Sequence, residues 1–131
     1  MFNHIMVGTN DIERSKAFYN TVLGTVFGAA PPHADTAASG HKRLFYRHEG
    51  STFAVTQPIN NEPAAPANGA TVAFKCASPE QVQAFHDIAV MNGATSIEDP
   101  PGLRVGTLGS HHLAYVLDPD GNKLCAIYRM R

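Results

Sequence analysis

The chain has 131 residues, 44% of them hydrophobic, which is one domain's worth and enough for a two-layer core without disulfide staples. Its formal net charge is −1, and its 10 Lys and Arg are scattered rather than gathered into a stripe, which removes the electrostatic footprint of a nucleic-acid or acidic-membrane binder. Two cysteines, Cys76 and Cys125, with no hydrophobic leader and no apolar run of membrane-span length, imply a cytoplasmic protein with free thiols whose partner is a small molecule.

Residues 2–7 alternate as a strand does, with His4 and Met6 on one face and Ile5 and Val7 on the other. Asn10 then reads as the N-cap of a helix, with Glu13 in a capping-box-like position, and Phe18 and Val22, supported by Ile12 and Leu23, as its apolar stripe. Gly24 is the expected stop. After a short strand at 25–27, the run to His41 is small, polar and Pro-rich, so it reads as a long loop; whether 28–41 closes over a cleft is left open by the sequence. Residues 44–48 and 52–57 form a strand pair joined through Glu49, Gly50 and Ser51.

Residues 58–68 have the composition of a linker, and the segment on its C-terminal side repeats the pattern of the segment on its N-terminal side. Residues 71–76 read as a strand, Ser78 as an N-cap followed by Pro79 at N1 and Gln81 in the capping box, and Val82, Phe85 and Ala89 as a helical stripe that Gly93 ends. Shifting the first copy by 67 positions lays Ile5 on Val72, Val7 on Phe74, Asp11 on Ser78 and Phe18 on Phe85 without a gap. Two modules, at about 1–57 and 69–131, therefore make up the single domain. In the second, 94–97 is a short strand and 99–110 another long Pro/Gly loop. Asp118, Pro119, Asp120, Gly121 and Asn122 form a tight turn between apolar strands at 113–116 and 124–128.

A helix covers one face of each module's sheet, so Ile5, Val7, Val72 and Phe74 belong to the core, with Leu124, Ala126 and Tyr128 under a helix. By parity the opposite, cleft-facing set is His4, Met6, Thr71, Ala73, Lys75, Cys125, Ile127 and Arg129. Cys76 then falls on the core face and Cys125 on the cleft face, an unsuitable geometry for a disulfide. His111 and His112 sit on opposite faces of one strand, so at most one of them looks into the cleft. His33, His41 and His48 are expected to be solvated loop or edge residues.

The duplicated unit, the opening Asn3-His4-Ile5, the restart at Gly69-Ala70-Thr71-Val72-Ala73-Phe74 and the closing Asp-Pro-Asp-Gly-Asn together resemble the vicinal oxygen chelate superfamily of glyoxalases, bleomycin-resistance proteins and extradiol dioxygenases. The resemblance spans essentially the whole chain. It implies an α+β fold of two paired βαβββ modules forming a curved sheet around a cleft, helices on the outer face, commonly as a homodimer.

The resemblance further implies a divalent metal (Zn, Ni, Mn or Fe) held by one ligand from each of four strands. Mapped here, those positions are His4, a residue near Val55 or Gln57, Thr71 and Cys125. A His and a Glu are thus replaced by a hydroxyl and a thiol, leaving His4, Gln57 and Cys125 as the candidate ligands, with His111 or His112 as a neighbouring supplement. The expected ligand cleft is lined by His4, Met6, Gln57, Thr71, Ala73, His111, His112, Cys125 and Ile127. The resemblance implies two functions: a binding protein that sequesters a small molecule after its metal site has degraded, or a metal-dependent glyoxalase-like lyase or isomerase, or dioxygenase-related enzyme.

Overall fold

The computed structural model describes residues 1–130. Among them the elements run β1 (Ile5–Gly8), α1 (Ile12–Phe27), β2 (His33–Thr36), β3 (Lys42–His48), β4 (Ser51–Thr56), β5 (Val72–Lys75), α2 (Pro79–Met91), β6 (Thr95–Gly106), β7 (Gly109–Leu117) and β8 (Lys123–Arg129). They form two open four-stranded sheets, ordered β1-β4-β3-β2 and β5-β8-β7-β6. In each sheet the first strand of the module pairs in parallel with the last, Ile5 opposite Phe53 and Val72 opposite Leu124, and the remaining pairs are antiparallel. The architecture is α+β, two βαβββ modules, as the repeat requires.

The repeat is also visible in its caps. Asp11 and Ser78, equivalent under the shift, are the N-caps of α1 and α2, and each side chain accepts the backbone N–H three residues on, from Arg14 and Gln81. Asn10 is therefore not the cap; its side chain instead holds the linker, accepting from Ala64 N–H at 2.7 Å and donating to Ala64 O at 3.0 Å. Pro79 opens α2 as expected.

Two elements extend beyond their sequence expectation. Gly24 lies inside α1, which continues to Phe27 and ends at Gly28, whose φ of 71° is the left-handed C-cap conformation that glycine adopts without a Cβ penalty. A single interior glycine costs a helix about 1 kcal/mol, which the packing of Val26 and Phe27 against the core outweighs. The segment 25–27 is thus helical, and the long loop after it contains β2, an edge strand paired to β3. Likewise 99–110 is not a loop: β6 runs through a register shift between Ile97 and Gly102 and turns into β7 as a long hairpin. Edge strands and bulges are where sheets tolerate proline, and Pro100 and Pro101 sit in that irregular stretch.

The helices cover one face of the sheets. Phe18, Tyr19, Val22 and Leu23 of α1 and Val82, Phe85 and Ala89 of α2 join Phe53, Val55, Leu124 and Ala126 in one buried cluster. Its aromatic spine crosses between modules: Tyr19 lies 4.8 Å from Phe53, Phe53 lies 5.4 Å from Phe74, and Phe74 lies 5.4 Å from Phe85. The rings that are fully buried, Tyr19 and Phe85 at 1% exposure each, contribute roughly 1.5–3 kcal/mol apiece of transfer free energy. The modules consequently share a core rather than folding as separate units. Among the described residues no helix is long and apolar enough to cross a membrane.

Candidate functional site

The turn between β7 and β8 is the polar counterpart of that shared core. Asp118 caps its own turn by accepting from the backbone N–H groups of Asp120 and Asn122, and also accepts from the hydroxyl of Tyr19 in α1 and from Asn122 Nδ2. Asp120 reaches into the other module: its carboxylate accepts from Thr9 Oγ1 at 2.6 Å, Ser15 Oγ at 3.1 Å, Asn10 N–H at 2.8 Å and Arg14 Nη2 at 2.7 Å. Asn122 completes the link by donating to Gly8 O. Gly121, with φ at 89°, lets the chain turn tightly enough to aim both carboxylates inward. Burial and the neighbouring Asp118 raise the Tyr19 pKa well above its ordinary range, so that hydroxyl stays protonated and donates. Every donor in this cluster is matched, which makes it a latch between modules rather than a reactive centre.

The sheet faces turned away from the helices carry the residues singled out from sequence, in two groups. On the first sheet Met6 lies opposite Ala54, which lies opposite Phe45, and the His4 ring meets the Phe45 ring edge-on at 6.4 Å. His4 is exposed, with Nδ1 2.7 Å from Asn3 Oδ1. On the second sheet Ala73 lies opposite Cys125, Cys125 opposite Tyr115, and Lys75 opposite Ile127; His111 pairs with Arg129 on that same face. His112 takes the other face, opposite Tyr128, which packs against the core. Thr71 is exposed just before β5. No strand pairing joins the two sheets among the described residues, so His4 and Met6 stand on one scaffold and Ala73, His111, Cys125 and Ile127 on another.

The donors at the four implied metal positions do not fit a divalent ion. Val55 is fully buried on the helix face of β4. Gln57 lies just past that strand with its Oε1 accepting Lys42 N–H at 2.8 Å. The residue of β4 that shares a face with Met6 is Ala54, which has no ligand atom. Thr71 supplies a neutral hydroxyl. Burial pushes the Cys125 thiol up to about 11, and a thiol must lose its proton to bind metal. Among the described residues no three His, Cys, Asp or Glu side chains gather as a metal group. Cys76, also buried and also raised to about 11, remains unbridged to Cys125.

Between the modules lies a cavity of about 460 Å³. Its walls are apolar: Ile5 and Phe53 from the first sheet, Leu23 and Phe27 from the end of α1, and Val72 and Phe74 from β5. Its polar lining comes from His48, Glu49, Ser51 and Thr52 of the β3–β4 hairpin and from Lys75 of β5, of which Glu49, Ser51 and Lys75 are exposed. Tyr46 also lines it, but its hydroxyl is committed to Asn20 Oδ1 at 2.7 Å, and burial raises its pKa. Of the residues expected to line a ligand cleft, Ala73 is in this wall, whereas His4 and Thr71 each stand one residue away from it.

Sequence reasoning missed Phe27 and the β3–β4 tip as site components. Phe27 goes unseen when Gly24 is read as the helix end, although Leu23 and Phe27, four residues apart, continue the stripe to Gly28.

The family described as Glyoxalase/Bleomycin resistance protein/Dioxygenase superfamily matches residues 1–126. Among solved structures, a glyoxalase/bleomycin resistance protein from Albidiferax ferrireducens T118 is 49% identical, with 98% of this chain and 99% of that one covered and a TM-score of 0.90. A glyoxalase-related enzyme from Fulvimarina pelagi is 21% identical over 98% of this chain and 88% of that one, TM-score 0.70. A genomically encoded fosfomycin resistance protein from Listeria monocytogenes is 16% identical over 99% and 94%, TM-score 0.68. At those lower identities the likeness is one of fold. A search of curated proteins finds no match.

Proposed function

We propose that this chain, which belongs to the glyoxalase/bleomycin resistance protein/dioxygenase superfamily, is a binding member of it: it sequesters a small, largely apolar molecule between its two modules and does not depend on a metal to do so. One observation carries the reading, the cavity of about 460 Å³ lined by Ile5, Leu23, Phe27, Phe53, Val72 and Phe74, with the exposed Glu49, Ser51 and Lys75 among its few polar lining residues. A volume in the range of small-molecule sites, apolar walls and a few polar groups at the mouth are what such a site needs. The donor chemistry supports the second half of the proposal, because a lyase or isomerase of this fold would need a metal to polarise its substrate, and the residues at the four implied positions are poor ligands.

The protein acts in the cytoplasm, where its two buried thiols stay reduced. It works as a homodimer, a reading supported by Leu103, Val105 and Leu108, which stand exposed along the β6–β7 hairpin.

The experiment is a fluorescence titration with the neutral probe N-phenyl-1-naphthylamine in the presence of excess chelator. Saturable binding of one probe per chain is expected, and loss of it in Ala29→Phe, which grows a ring into the cavity from a partly exposed wall position. Absence of saturable binding, or binding that appears only after zinc, nickel or manganese is restored, would overturn the reading in favour of a metal-dependent enzyme.

A further inference from the structure

We infer that the occupant of the inter-module cavity is a flat aromatic acid, its ring system held among Phe27, Phe53 and Phe74 and its carboxylate or sulfonate at Lys75; the inference rests on the binding function proposed above. The shape of the wall selects the ring. Phe27 and Phe74 lie 6.1 Å apart with their planes only 27° from parallel, while Phe53 meets Phe74 at 66° and 5.4 Å. The three rings pack on one another into a continuous aromatic surface, whose open faces and edges can take offset-stacked or edge-to-face contacts from a planar ligand that a branched aliphatic body cannot make.

The charge at the rim selects the acid. Among the described residues the other cations close to carboxylates are already paired, Arg14 with Asp120, Arg43 with Asp35 and Lys123 with Glu98. Lys75, like Lys16, Lys42 and Arg47, has no such partner among them, and it is the one Lys or Arg among the described residues that lines this cavity; at the end of β5 its aliphatic stem can lie along the wall and leave the ammonium toward solvent. The opposing acid does not cancel it: the Glu49 side chain is 85% exposed and lies 3.7 Å from His48 Nε2 on its own hairpin. Ser51 and Thr52 add two hydroxyls to the same lining. A single free cation at the edge of an aromatic box complements an anion attached to a planar body. The one other polar group in the wall, the Tyr46 hydroxyl, is already bonded to Asn20 and adds no competing preference.

The test pairs 8-anilinonaphthalene-1-sulfonate with N-phenyl-1-naphthylamine, which has the same aromatic skeleton without the sulfonate, on the full chain. Lys75→Met is expected to weaken the sulfonate probe about tenfold and to leave the neutral probe within about twofold, with Lys75→Arg restoring the sulfonate affinity. Sodium octanoate, an acid with no ring, is expected to displace the sulfonate probe poorly. Equal loss of both probes in Lys75→Met, no loss of either, or efficient displacement by octanoate would overturn the aromatic-acid inference while leaving the binding function standing. If neither probe binds the wild type, the binding function itself fails and the inference with it.

Discussion

Asp120→Asn tests whether the two modules are held together by one buried carboxylate. The substitution keeps shape and one acceptor oxygen but turns an NH2 group toward a site occupied by four donors, from Thr9, Asn10, Arg14 and Ser15. The Asp120 side chain is 1% exposed, so no water is at hand to repair the mismatch, whereas Arg14 is 47% exposed and can recover solvation. The ion pair is therefore worth no more than about 1 kcal/mol. The larger loss is of buried hydrogen bonds to a charged acceptor, about 1.5–3 kcal/mol each, offset in part because the Thr9 hydroxyl has Asp11 O within 3.0 Å and the Ser15 hydroxyl has Thr9 within 2.7 Å as alternatives. The net destabilisation is about 2–4 kcal/mol, which for a chain of this size lowers Tm by roughly 6–14 °C. Urea unfolding followed by tyrosine fluorescence and by circular dichroism would give the free energy. A double-mutant cycle with Thr9→Val should return a coupling of about 1 kcal/mol or more across 111 residues of sequence. A change below about 0.5 kcal/mol, or strict additivity with Thr9→Val, would refute the latch.

Three further outcomes are expected. Phe18→Ala and Phe85→Ala, truncating rings that are 2% and 1% exposed at equivalent positions, should each cost about 3–5 kcal/mol in urea unfolding, and His33→Ala, on an exposed edge strand, close to nothing; an unchanged midpoint for Phe85→Ala would contradict its placement. Stability should be flat through neutral pH and fall above about pH 9, because both buried thiols are pushed up to about 11 in the fold and ionise earlier in the unfolded chain, so their contribution is complete below the unfolded pKa and is lost as pH rises through the folded one. The fall should be shallower in Cys76→Ala, and an identical slope would assign it elsewhere. Zinc, nickel and manganese should bind the wild type weakly by calorimetry and the double variant Thr71→His, Cys125→Glu markedly more tightly; tight wild-type binding abolished by Cys125→Ser would make that thiol a ligand.

The parts of the fold that could be read from sequence are those set by short-range periodicity and by the repeat. The strand parity that sends Val72 and Phe74 to the core, the cap at Ser78 and the reversal at Asp118 to Asn122 each depend on the side chains within one or two turns of chain. Where local composition and tertiary packing disagreed, packing prevailed. Gly24 stayed helical because Val26 and Phe27 gain a core beyond it, and Pro100 and Pro101 sit in a strand because β7 offers a paired edge on either side of the bulge.

The candidate site was less legible for a related reason. Which β4 residue shares a face with Met6 depends on the parallel pairing of β1 with β4, and that register places Ala54 there rather than Val55 or Gln57. No periodicity within either strand carries that information, since the two are separated by a helix, two strands and a turn. The cavity depends on still longer relations. Phe27 from the end of α1, Phe53 from β4 and Phe74 from β5 meet where the second module packs on the first, a packing that the turn at Asp120 ties down through Thr9, Asn10, Arg14 and Ser15. The latch holds the N-terminal end of α1 against the second module, and Leu23 and Phe27 at the C-terminal end of the same helix wall the cavity, so loosening the first frees the helix that carries the second. Asp120→Asn should therefore weaken N-phenyl-1-naphthylamine binding under conditions where the variant remains folded, and undiminished binding by a folded Asp120→Asn protein would show that the cavity is shaped by the aromatic spine alone.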